Sequence, residues 1–396
     1  MMSTQTLERS LDETGGAAVR STNPIFGPNK LKLGIFGLNG KGTANTLVPE
    51  AHRPEWPTII RAAQMADAAG LEAIVAYSRW KGHELGKLDH PSGVVLDPFT
   101  WAAGVAQATR HSAVFATSHA PTIHPVTAAK MCATIDIISG GRFGLNVVAG
   151  WNRPELEMFG APLKEHEERY AHLEEWLNIV KRLWSEDEEF DFEGGHFKIV
   201  RGGSRPKPVQ RPHPPIMSAG SSGTGREFAL RSADMCFVQL ASTDPSERRA
   251  HVDSYKQLAR EKYGRDVKVW VMGNIVQRDT NAEAEAYVKH FAIDHADKAS
   301  IDAWIEMQNA NSKALSRPDL DARRRRAGIG AGGTPIIGDA DRVAEQLEAL
   351  SDCGVDGLLI GFVDFADGIT RLAQGVLPRL EAKGLRQKFS LPAAQA

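Results

Sequence analysis

From Lys32 onward, short apolar runs rich in β-branched residues alternate with longer segments whose apolar positions return every three or four residues. The first pattern fits buried strands and the second amphipathic helices. The runs 33–37, 73–77, 112–117, 142–148, 215–219, 235–238, 268–276 and 357–361 predict strands. Between and after them, 57–69, 98–108, 126–138, 165–184, 225–232, 245–263, 341–351 and 369–383 predict helices, with Gly70 and Gly140-Gly141 as stop signals. Strand–helix alternation calls for a parallel sheet with helical crossovers. The number of units favours an α/β fold of the (β/α)8 TIM-barrel kind, one domain over residues 31–385, over an open sheet.

Two segments exceed a minimal barrel. Residues 187–209 predict a β-hairpin excursion, because Phe190, Phe192, Phe197 and Ile199 alternate around Gly194-Gly195. Residues 280–336 hold a helical stretch, then Arg323, Arg324, Arg325 and Arg326 ahead of the glycines at 328–333. That basic run reads either as a mobile, solvated loop or as an active-site lid bringing arginine to an anionic substrate. Residues 1–30 read as a flexible arm and 386–396 as a tail.

Composition narrows the partners. A net charge of −2 over 396 residues attracts neither nucleic acid nor an anionic membrane at long range. No apolar run reaches the ~18–20 residues of a membrane span, and the polar start lacks a signal peptide's apolar core. The expected location is the cytoplasm. Cys132, Cys236 and Cys353 are far apart in apolar segments and read as small buried hydrophobes in a reducing compartment. No metal-ligand spacing appears, so no metal is expected. There is no GxSxG elbow, no GxGxxG after the first strand, and residues 37–43 miss the P-loop spacing.

In such a barrel the chemistry lies at the carboxyl ends of the strands. After the second strand come Tyr77, Ser78 and Arg79; after the third, Thr117, Ser118 and His119, with His124 close behind; after the fourth, Asn146 to Asn152. Asn146 shares a strand face with Val148, and is either a structural hydrogen-bond partner or an amide that reads a planar heterocycle. Thr117 is either a backbone-satisfied threonine or part of that pocket. His119 and His124 are acid–base candidates or ordinary loop histidines. The turn Ala219-Gly220-Ser221-Ser222, leading into a helix, suits a phosphate or is a plain Gly/Ser loop.

These features occur in a familiar order: ID-x-x-SGGR-x-x-x-NVV-x-GW over 135–151, then His166-Glu167-Glu168-Arg169-Tyr170, then the 219–222 turn, then Gly354-Val355-Asp356-Gly357 through Val376-Leu377-Pro378. From about residue 32 to 385 the chain resembles the bacterial-luciferase-like flavin-dependent monooxygenases. Within them it is similar to the two-component pyrimidine, dimethyl sulfone and alkanesulfonate oxygenases, and most to the pyrimidine-ring-opening type. The resemblance implies reduced FMN and O2 as cofactors, a separate NAD(P)H-dependent flavin reductase as partner, and a homo-oligomer, dimer or tetramer. It implies oxygenation of a small polar substrate through a flavin peroxide, with cleavage of a C–N or C–S bond.

It also implies residue roles. Asn146 matches an asparagine at the oxygen-reacting edge of the flavin ring, Thr117 a threonine of the same pocket, and His119 stands with them as a catalytic candidate. Ser78 and Arg79 match a flavin-lining pair, though they depart in residue type, and Glu155 matches a flavin-side position. Arg169 and Tyr170 open a helix, Tyr170 as a phosphate ligand. Ser222, with the backbone of Gly220 and Ser221, would complete the phosphate cradle. The Thr117 and Asn146 matches lean toward oxygen addition at flavin N5 rather than C4a. The arginines at 323–326 would suit an anionic substrate, whereas the pyrimidine-type motifs suit an amide-bearing heterocycle. The rival implications are a deazaflavin-dependent oxidoreductase of the same superfamily and a non-catalytic flavin-binding protein.

Overall fold

The computed structural model describes residues 23–83, 87–221, 223–311 and 320–391, with backbone alone at 308–311 and 320–322. Its strands are β1 (Lys32–Phe36), β2 (Ala73–Val75), β3 (Ala113–His119), β4 (Phe143–Val148), β5 (Phe190–Glu193), β6 (Lys198–Gly202), β7 (Ile216–Ser218), β8 (Met235–Val238), β9 (Lys268–Gln277), β10 (Thr334–Gly338) and β11 (Gly357–Gly361). Its helices are α1 (Trp56–Ala68), α2 (Pro98–Ala108), α3 (Pro125–Ile138), α4 (Arg153–Met158), α5 (His166–Ser185), α6 (Gly223–Ser232), α7 (Pro245–Tyr263), α8 (Asn281–Lys289), α9 (Lys298–Asn311), α10 (Leu320–Ile329), α11 (Ala340–Asp352), α12 (Phe365–Arg371) and α13 (Leu377–Ala382).

The parallel order β1-β2-β3-β4-β7-β8-β9-β11 closes on itself, because β11 pairs with β1 and β8 with β9. This is the (β/α)8 barrel. Its strands alternate between two cores. Ala73, Val75, Ala113, Phe115, Met217, Met235, Trp270 and Leu359 fill the lumen. Ile74, Val114, Leu145, Val147, Ile216 and Leu358 face the helices. Gly144 makes the lumen possible at β4: a Cβ there would stand 2.2 Å from the Phe115 ring. Helix starts follow ordinary capping chemistry; Asp97 accepts from the Thr100 amide at 2.7 Å with Pro98 at the first turn of α2.

The hairpin β5–β6 is present and antiparallel, with Phe192 opposite Ile199. The second insertion differs from expectation in two ways. It contains a further strand, β10, which pairs in parallel with Gly273–Gln277 of β9. β9 is ten residues long and β8 covers only Lys268–Val271, so β10 satisfies the amides that β8 leaves unpaired. The basic run is helical rather than a loop, since Arg323–Arg326 fall within α10. Arg324 pairs with Asp302 at 2.9 Å and Arg325 with Glu285 at 3.1 Å, which offsets the like-charge repulsion that would oppose a helix there.

Both ends of the described chain pack under the barrel. Ile25 joins the lumen cluster beside Ala73, Ala113 and Met235, the first residues of their strands, and Phe26 packs against it. Arg386 donates to the Leu31 and Gly70 carbonyls at 3.1 and 2.8 Å and to Glu72 at 2.7 Å. All three cysteines are buried free thiols, and burial pushes the Cys236 thiol up to about 12. No helix among the described residues is long and apolar enough to cross a membrane.

Candidate active site

A cavity of about 220 Å³ opens among the carboxyl ends of the strands. Phe36, Val148, Phe237, Met272 and Trp151 give it apolar walls, and Trp304 of α9 and Ala331 close it from the second insertion. Of the residues singled out from sequence, Ser78, Arg79, Thr117, His119 and Asn146 all line it.

Thr117 and Asn146 stand opposite each other in the β3–β4 register. Strand parity turns both into the lumen, in line with Phe115 and Gly144. The Thr117 hydroxyl donates to the Ala76 carbonyl at 2.5 Å and accepts from Asn146 Nδ2 at 2.9 Å. A carbonyl can only accept, so the single hydroxyl proton is committed and the Asn146 amide must turn its NH2 toward Thr117. Asn146 Oδ1 is therefore the atom left over, buried and without a partner among the described residues. The wall offers an incoming ring acceptor oxygens and asks it for an N–H.

His119 is fully buried, and desolvation followed by the Arg79 charge holds its pKa at about 4. It is neutral at pH 7, and its Nδ1 lies 3.9 Å from Glu155 Oε2. Glu155 sits behind the wall rather than on it. It accepts from the Trp80 and Lys81 amides at 2.9 and 3.2 Å and lies 3.5 Å from Arg79 Nε, so it ties the loop after β2 to α4. The Arg79 guanidinium lies 5.7 Å from the Trp151 ring centroid, and its Nη1 is buried without a partner among the described residues.

Arg169 and Tyr170 open α5 beside the cavity, not on its lining. Arg169 donates to the Gly150 carbonyl at 2.7 Å and so braces the loop after β4. The Tyr170 ring packs 6.0 Å from Phe228 of α6, which sets it near the helix whose start follows the 219–222 turn. Ala219 lines the cavity, Gly220 is buried and Ser221 exposed. Ser222 lies outside the described residues. A Cβ on Gly220 would stand 2.1 Å from the Gly225 carbonyl, so only glycine allows the turn to fold back over the first turn of α6. His124 is the N-cap of α3 and accepts from the Val126 amide at 3.3 Å, a structural role. None of Arg323, Arg324, Arg325 and Arg326 lines the cavity. Arg326 is half-buried and donates to the Gly333 and Leu240 carbonyls.

Sequence reasoning missed Lys41, His83 and Trp304. Lys41 lies on the loop after β1, where no motif flagged it. That loop is clipped to the loop after β2 by Asn39, which donates to the Tyr77 and Leu96 carbonyls and accepts from the Tyr77 amide. Burial and then the Arg79 and Lys41 charges push His83 down to about 2, and its Nδ1 faces Ser300 of α9 at 2.9 Å.

The lining residues fit the expected cofactor. An unpartnered acceptor at Asn146 Oδ1, apolar and aromatic walls, an unpartnered Arg79 donor and a helix start behind a tight glycine turn are what a planar, N–H-bearing ring with a phosphate tail requires. Comparison with known proteins agrees. Residues 31–357 match the family model of luciferase-like monooxygenases. The chain is 32% identical over 321 residues to an FMNH(2)-dependent dimethylsulfone monooxygenase of Pseudomonas putida, covering 80% of this chain and 85% of that one. It is 29% identical over 364 residues to the pyrimidine monooxygenase RutA of Acinetobacter baylyi, covering 89% and 95%. The crystal structure of a long-chain alkane monooxygenase superposes with a TM-score of 0.80 at 20% identity, over 92% of this chain and 94% of that one.

Proposed function

The chain belongs to the luciferase-like monooxygenase family, and from that premise we propose that it takes reduced FMN from a separate NAD(P)H-dependent reductase and uses O2 to oxygenate a small polar substrate. The reading includes cleavage of a C–N or C–S bond, as befits relatives named for a pyrimidine and for dimethylsulfone. When bound, reduced FMN supplies the electrons that activate dioxygen.

The observation that carries this reading is the orientation of the Asn146 amide. Its free oxygen, beside a Thr117 hydroxyl whose proton is already spent, selects a ring that presents an N–H. A reduced flavin carries that N–H at N5, and an oxidised flavin carries an acceptor there. Asn146 and Thr117 thus hold the ring edge and prefer its reduced form. His119, neutral at pH 7, can hold or release a proton at the same wall. Trp151 and Trp304 keep water from the reacting face. Tyr170, Ser222 and the backbone of Gly220 and Ser221 are the proposed phosphate cradle, at the start of a helix.

Anaerobic titration of the purified protein with reduced and with oxidised FMN, followed by rapid mixing with oxygenated buffer, tests this. The expected result is tighter binding of reduced FMN and a transient absorbance change distinct from that of free flavin. Absence of reduced-FMN binding overturns the reading. Binding of a reduced deazaflavin in its place would identify a hydride-transfer enzyme.

A further inference from the structure

Among the described residues, the lining of the cavity carries two ionised side chains, Lys41 and Arg79, and neither an aspartate nor a glutamate. Arg79 is engaged from behind by Glu155 and lies against Trp151. Lys41 is paired with no carboxylate among the described residues. Its ammonium donates to the Ala44 carbonyl at 2.5 Å and to Asn45 Oδ1 at 2.7 Å, which uses two of its three N–H bonds. The carboxylate with most influence on it, Asp297, is already committed to His90 at 3.2 Å and to the Ser300 amide at 3.1 Å.

Lys41 is half-buried, and a cation drawn partly out of water without a counter-charge is costly. Here the cost is visible in neighbouring groups. Burial brings the Lys41 ammonium itself down to about 8, and Lys41 and Arg79 together add to the burial that keeps His83 neutral. The cavity is a region of positive potential with one donor left over on each of two loops. A reduced flavin is an anion at neutral pH, and Arg79, on the Trp151 side, suits it. The second charge stands on the loop after β1, next to Asn45.

We propose that Lys41 is the specificity-determining residue of this site, and that it binds an oxyanion carried by the substrate, a carboxylate or sulfonate. The inference rests on the flavin-oxygenase reading above. Uracil-like pyrimidines and dimethylsulfone, after which two of the relatives are named, are uncharged, whereas this cavity is arranged for a charged molecule. The substrate's acid group lies against Lys41, so its oxidisable carbon, nitrogen or sulfur is held toward Asn146 by the rest of the cavity wall.

The test uses two matched pairs of probes, orotate against uracil and methanesulfonate against dimethyl sulfone. Their binding to the full chain is measured by calorimetry, with oxidised FMN present and without flavin. In the wild type the anionic member of at least one pair binds about tenfold more tightly. Lys41→Met removes that preference and leaves the neutral member unchanged, while Lys41→Arg keeps most of it. Formaldehyde–borohydride labelling of wild-type Lys41, read by mass spectrometry, slows in the presence of the preferred anion; this needs no variant to fold. Equal binding within both pairs, a preference that survives in Lys41→Met, or no protection from labelling overturns the proposal. So does a Lys41→Met protein that loses reduced-FMN affinity but keeps the anion preference, which would assign Lys41 to the flavin. If FMN fails to bind while the flavin-free protein still prefers the anions, the flavin reading falls and the Lys41 assignment stands.

Discussion

Thr117 and Asn146 face each other across β3 and β4, and a 2.9 Å hydrogen bond between them fixes which end of the amide is free. Thr117→Val, nearly isosteric, removes both the donor to the Ala76 carbonyl and the acceptor for Asn146. The amide is then free to turn its NH2 toward the ring. The reduced-over-oxidised preference for FMN should fall by roughly 2- to 10-fold, one hydrogen bond's worth. Two anaerobic titrations measure it. An unchanged ratio would mean that the amide's orientation does not set the preference.

Loss of a phosphate hydrogen bond should appear as affinity rather than as chemistry. Tyr170→Phe and Ser222→Ala are each expected to weaken FMN binding by about 0.5–3 kcal/mol. Turnover at saturating flavin should be nearly unaffected. Fluorescence quenching of FMN gives the affinities, and a fall in turnover with intact affinity would move these residues out of the cradle.

The buried histidines make stability depend on acid. His119 and His83 have pKa values of about 4 and about 2 in the fold, against about 6.5 in the unfolded chain. Below pH 6.5 the unfolded chain therefore binds protons that the fold refuses, and stability falls as pH falls. For His119 the window closes near pH 4; for His83 it runs lower. Each contributes a slope of up to ~1.4 kcal/mol per pH unit, and nothing above pH 7. Denaturant melts at pH 7, 6 and 5 measure the trend, and His83→Gln should flatten it. A melt midpoint constant over this range would contradict the neutral, buried state.

Arg142 should matter for folding and not for chemistry. Its guanidinium donates to the carbonyls of Ala106, Thr109, Ser112 and Ser139 at 2.6–2.9 Å, at the opposite end of β4 from the cavity. Arg142→Ala strips those carbonyls of a charged donor and is expected to cost about 1.5–3 kcal/mol. The FMN affinity of the protein that remains folded should be unchanged. A specific loss of flavin binding would refute this division.

The same stretch shows what the sequence made legible. In ID-x-x-SGGR-x-x-x-NVV-x-GW the first half is structural: Asp136 accepts from Gln210, and Arg142 gathers loop carbonyls. The second half carries Asn146 and Trp151 to the cavity. Strand positions could be read because each buried strand is a dense apolar run between glycine or proline signals. β10 could not, since Thr334–Gly338 is a short run after a long polar insertion, and its reason to exist is the length of β9. The orientation of Asn146 was open until Ala76, a residue of no motif, fixed the hydroxyl it bonds to. Lys41 was hidden for a similar reason. A lone lysine beside glycines looks like any surface loop, and only the fold sets it, half-buried, on the cavity with Tyr77.

The plug of Ile25 and Phe26 at the floor of the barrel, under Phe115 and Trp270, has a kinetic corollary. A vessel sealed at its base fills and empties through its rim, so what enters first sits deepest and leaves last. On the proposed reading, with the ring edge against Asn146, flavin is expected to load before substrate and product to depart before spent flavin. Catalytic order would then follow from the container, whose packed base is built of side chains that never meet the reactants.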